Sequence, residues 1–90
     1  MVIHNFSCYF EDDYWQMKAL TYTNEYLLLY EVEPEDRRLY SRFGIKFVTQ
    51  PKESFLDIRC SNPVKEHRAY EQAILVGLME HLARRRRENG

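Results

Sequence analysis

Apolar and polar positions alternate with a period of two over the first third of the chain. In residues 2–10, Val2, Phe6, Cys8 and Phe10 share one face with His4; in residues 14–22, Trp15, Met17 and Ala19 do the same. Such alternation predicts half-buried β-strands. Glu11-Asp12-Asp13 reads as the polar turn between them, and Thr23-Asn24 suits a tight hairpin, since Asn tolerates the left-handed conformation. Residues 25–32 are apolar at both parities, as expected of a central strand covered on both faces. Pro34 and the acids around it end that strand, and residues 35–41 read as either a short helical turn or an irregular loop.

Two more strands follow. Phe43, Ile45 and Phe47 alternate against Lys46, which predicts a strand over 42–49 with Ile45 and Phe47 in the core. Leu56, Ile58 and Cys60 alternate against Asp57 and Arg59, which predicts another over 54–60. From Asn62-Pro63 the period lengthens. Asn at the cap and Pro at the first helical position open a helix that runs to about Arg87. Its main stripe is Tyr70, Ile74, Gly77, Leu78 and Leu82.

The resulting order, β-β-β-β-β-α, predicts an α+β fold: a single domain with an antiparallel meander sheet of four to five strands and one long C-terminal helix packed on one face. The expected core is Phe6, Trp15, Met17, Leu28, Ile45, Phe47, Leu56, Ile58, Tyr70, Ile74, Leu78 and Leu82.

Within the helix, Ala73-Ile-Leu-Val-Gly-Leu-Met79 is apolar for nearly two turns. A helix with one buried side keeps a polar back, so this run calls for cover from more than one direction. A loop through Leu39 and Tyr40 is one source, and another chain is the other. The sheet raises the same need, because one helix cannot cover both faces of the third strand. Ala69, Ala73, Val76 and Met79 form the second apolar strip of the helix and are the expected protein interface, with small residues at 69, 73 and 77 allowing close helix approach.

Charge adds a second possibility. The net charge is −1, yet residues 1–36 hold eight acids against one base (−7) and residues 37–90 twelve bases against six acids (+6). Arg84, Arg85, Arg86 and Arg87, with Arg37, Arg38 and Arg42, are candidates for gripping phosphate. Cations at a helix C-terminus are also favoured by the macrodipole alone, and the chain as a whole is not basic, as nucleic-acid binders usually are. The acidic turns (Glu11, Asp12, Asp13, Glu33, Glu35 and Asp36) offer substitute phosphates for an inhibitor acting by mimicry.

No catalytic or cofactor motif emerges. Three scattered glycines rule out a phosphate-cradling loop. His4, Cys8, Cys60 and His67 match no common zinc spacing and read instead as two small buried hydrophobes with histidines at the core edge. His67 and His81 fall on or near the helix stripe, and Glu71, one turn after His67, is the one carboxylate placed to work with it. Met1-Val-Ile-His-Asn lacks the basic and apolar regions of a secretory signal, and no apolar run approaches a membrane span. The expectation is a cytoplasmic, non-enzymatic protein-interaction module with reduced thiols: an adaptor, regulator or inhibitor, homodimeric, with no metal, no small-molecule cofactor and no membrane contact. The alternative is nucleic-acid binding through the arginines.

Overall fold

A computed structural model describes residues 2–54 and 57–89. Five strands, β1 (Val2–Phe10), β2 (Asp13–Thr23), β3 (Leu27–Pro34), β4 (Lys46–Pro51) and β5 (Arg59–Cys60), form one sheet in the order β1-β2-β3-β4-β5. Every neighbouring pair is antiparallel. A short helix, α1 (Arg37–Phe43), joins β3 to β4, and a long one, α2 (Arg68–Asn89), follows a 3-10 turn at Lys65–His67. This is the α+β meander with a C-terminal helix that the alternation predicts.

The β1–β2 connection is a two-residue loop. Glu11 and Asp12 both take positive φ, 51° and 61°, which matches the right-handed twist of the flanking strands. The β2–β3 turn is held by Asn24, whose Oδ1 accepts the N–H groups of Tyr26 and Leu27. β3 runs on through Pro34, where no ladder bond is lost on the far side: β4 pairing stops at Val32–Lys46.

Residues 37–43 resolve as helix. Asp36 caps it by accepting the Arg38 N–H at 2.8 Å, and Gly44 (φ 65°) ends it, donating to the Tyr40 carbonyl. The fourth strand therefore starts at Lys46 rather than 42. The fifth is shorter than expected, and Leu56 lies outside the described residues. The helical segment does not open at Asn62-Pro63: the 3-10 turn before α2 starts after Val64, which has no capping side chain and whose N–H donates to the Glu71 carboxylate at 3.0 Å.

The core lies between α2 and one sheet face. Phe6, Cys8, Met17, Ala19, Tyr30, Val32, Val48 and Ile58 meet Tyr70, Ile74 and Leu78 of α2. Trp15, Leu28 and Leu82 pack at its margin. Leu39 of α1 is buried, and Phe43 stacks on Tyr70 with centroids 4.1 Å apart. Tyr40 is exposed.

One phase expectation is corrected. β4 turns Lys46, Val48 and Gln50 to the core, and Ile45 and Phe47 stand outside at 36% and 40% exposure. The charge of Lys46 is accommodated because Glu71 and His67 meet it from α2 and the turn before it. A one-residue change of phase moves every side chain of a strand to the other face.

Candidate functional site

The run 73–79 is covered mostly from within. Ile74, Gly77 and Leu78 face the sheet and are buried; Ala73, Leu75 and Met79 are half-buried. Leu75 borders a cleft with Ile58, Cys60 and Val64, so the chain leading into α2 flanks it on that side. Only Val76 stays exposed, at 53%. Three of the four helix positions expected to act together, Ala69, Ala73 and Val76, border one shallow groove beside Ser7, Tyr9 and Tyr14, while Met79 packs against the core.

The large uncovered apolar surface is the other face of the sheet. Register places Ile3, Leu20, Glu31 and Phe47 in one row across β1 to β4, and Tyr22, Leu29, Thr49 and Arg59 in the next row across β2 to β5. Leu27 and Pro51 pair beyond them. Ile3, Tyr22, Leu27 and Phe47 are exposed; Leu20 and Leu29 are half-buried. An antiparallel sheet with one solvated face ordinarily shows polar residues there. The charges on this face are of both signs: Lys18 lies 3.5 Å from Glu33, Glu31 sits between Leu20 and Phe47, and Arg59 closes the second row.

The arginines form two groups at opposite ends of α2. Arg38 makes two bonds to Asp36 and lies over the Trp15 ring; Arg42 pairs with Glu11 at 2.6 Å and lies over Phe43. The Arg38 hydrogen bond holds the Asp36 carboxyl down at about 2, and the Arg42 bond lowers Glu11. Arg84 to Arg87 come some fourteen residues after Tyr70, roughly 20 Å further along the helix at 1.5 Å per residue. The structure does not join the two groups into one phosphate-binding patch.

Two polar clusters were not foreseen. At the start of α2, Lys46 Nζ lies 2.8 Å from His67 Nδ1 and donates to Glu71 Oε2 at 2.9 Å, with the Lys46 and Glu71 side chains 7% and 6% exposed. Burial pushes the Glu71 carboxyl up, but the Val64 N–H and Lys46 outweigh it and the net shift is downward. His67 and Glu71 are thus brought together, but through a lysine rather than as an acid-base pair. The signal for this cluster was Lys46 itself, whose apolar neighbours Ile45 and Phe47 favoured the opposite phase.

At the other end of the core, His4 Nδ1 lies 3.1 Å from His81 Nε2, and the Tyr30 hydroxyl donates to Gln50 Oε1 at 2.9 Å. Burial, then His81 and Arg85, lower the His4 pKa to about 4. His4 and His67 belong to different clusters, and among the described residues no three His, Cys, Asp or Glu side chains converge as metal ligands. Cys8 and Cys60 are free thiols, and burial pushes both up to about 11, which disfavours the reactive thiolate.

Compared with known protein families, characterised proteins and solved structures, the chain matches none. Among the described residues, no helix is long and apolar enough to cross a membrane.

Proposed function

We propose that the protein is a non-enzymatic interaction module of the cytoplasm and that it docks through the open sheet face onto a second copy of itself. The observation that carries this reading is the contiguous apolar patch of Ile3, Leu20, Tyr22, Leu27, Leu29 and Phe47 opposite the helix. Apolar patches of this kind on a small chain mark association surfaces.

Size and charge favour a second copy as the occupant. Five strands about 4.8 Å apart, running from two residues in β5 to eleven in β2 at about 3.3 Å per residue, present roughly 570 Å² in projection and more in accessible area. That approaches the roughly 800 Å² per partner of a standard interface. A two-fold contact needs a face that complements itself. Lys18 and Arg59 alongside Glu31 and Glu33 allow that, whereas a partner of one strong sign meets like charge somewhere on the face. Two sheets facing each other, each backed by its own α2, make a four-layer arrangement with both apolar faces covered.

Light scattering across a concentration series tests this. The expected mass is twice 11.0 kDa, insensitive to salt, and Leu29→Glu with Phe47→Glu returns it to the monomer value with the circular dichroism unchanged. Val76→Glu leaves the mass alone. A chain that stays monomeric at high concentration overturns the reading, and a dimer broken by Val76→Glu alone moves the interface to the helix.

A further inference from the structure

The inner end of the core, where β1 to β4 pass beneath the last turns of α2, is unlike the rest of it. Between this end and the buried Lys46–Glu71 pair the inner face is Phe6, Cys8, Met17, Ala19, Val32 and Val48. Here it is His4, Thr21, Tyr30 and Gln50, each at least 94% buried. Burying polar side chains in place of apolar ones costs stability unless their hydrogen bonds are made. Tyr30 and Gln50 bond to each other, and His4 bonds to His81. The Thr21 hydroxyl is shielded from water and has no hydrogen-bond partner among the described residues.

These four residues line a pocket of about 640 Å³, within the range of small-molecule sites. Leu28 and Leu82 are among its apolar walls, and Arg85 and Arg86 stand at its helix side. Site-like features therefore coincide here: an open pocket with mostly apolar walls, a few convergent uncharged polar groups with one unsatisfied hydroxyl, and two guanidinium groups.

We propose that this pocket binds a small organic anion with an apolar or aromatic body. The body lies against Leu28 and Leu82. A hydrogen-bonding group on it reaches the Thr21, Tyr30 and Gln50 end. The anionic group, a carboxylate or a phosphate ester, lies at the Arg85 and Arg86 side. Arginine suits both anions because its planar fork donates in pairs to their oxygens. The site is on the helix side of the sheet, away from the face proposed for self-association, so neither reading depends on the other.

Amide shifts of the 15N-labelled full chain, titrated with phenyl phosphate and with benzoate, test the proposal. Saturable shifts are expected at Thr21, Tyr30, Gln50 and Leu82, with dissociation constants near millimolar for probes this small. Arg85→Ala with Arg86→Ala weakens binding at least tenfold, and phenol, which lacks the anion, binds at least tenfold more weakly than phenyl phosphate. A preference for one probe over the other assigns the head group as phosphate ester or carboxylate. Shifts that do not saturate, that map instead to Leu20, Leu29 and Phe47, or that survive the double arginine variant overturn it. So does inorganic phosphate binding as tightly as phenyl phosphate, which places the anion on the arginines alone and leaves the pocket unused.

Discussion

Gly77 of α2 lies against Ser7 of β1, so close that a Cβ at position 77 comes 2.6 Å from the Ser7 carbonyl oxygen and 3.2 Å from the Cys8 Cβ. The helix can rest on the edge strand at this distance only because residue 77 has no side chain. The obstacle is backbone, which cannot rotate away.

Gly77→Ala is therefore expected to destabilise the fold by about 1–3 kcal/mol, the usual cost of overpacking. At a helix position with open space the same change gains about 1 kcal/mol through helix propensity. Urea denaturation decides between the two signs, and a stabilised Gly77→Ala variant means that α2 does not sit on β1 as described.

The Lys46–Glu71 pair ties the start of α2 to the sheet, with both side chains more than 90% buried. Removing one partner leaves the other charge buried and uncompensated, at a cost of about 3–5 kcal/mol. Lys46→Ala and Glu71→Ala should each lower the denaturation midpoint to that extent. The double variant Lys46→Met with Glu71→Leu should recover most of the loss, because an apolar pair of similar volume pays no desolvation. Additive losses in the double variant would falsify the pairing.

Acid should weaken the fold in two stages. His4 titrates in the folded chain at about 4, against an ordinary 6.5. Its contribution is present above pH 6.5 and is lost as the pH falls from 6.5 toward 4, because only the unfolded chain takes up the proton there; the slope is up to about 1.4 kcal/mol per pH unit. Glu71, lowered in the fold, contributes above its unfolded value near 4.5 and loses that contribution as the pH falls through its folded value. Unfolding free energies measured from pH 7 to 4 should show the first stage, and His4→Gln should flatten it. A wild-type profile that is level between pH 6.5 and 4.5 contradicts the burial of a neutral His4.

The β1–β2 loop carries avoidable strain. Asp12 holds a φ of 61°, a conformation that costs an L-residue roughly 1–2 kcal/mol and glycine nothing, with Asp among the more tolerant types. Asp12→Gly is expected to raise the melting temperature, by about 0.5 kcal/mol of stability once the freer unfolded chain is counted. Loss of stability instead points to a different turn.

Much of the architecture is local and was legible in the sequence. The inward faces of β1 and β2 follow from strict alternation across a two-residue loop: His4, Phe6 and Cys8 opposite Ala19, Met17 and Trp15. The α2 stripe of Tyr70, Ile74 and Leu78 follows from helical spacing. Tertiary structure alone decided the phase of β4, because partners distant in the chain outweighed hydrophobicity. Glu71 meets Lys46 from 25 residues away and Tyr30 meets Gln50 from 20, so a lysine and a glutamine turned inward while Ile45 and Phe47 turned out. The same holds for the pocket beneath Leu82. His4, Thr21, Tyr30 and Gln50 stand on four different strands, and no spacing along the chain announces what only the order and register of the sheet bring together.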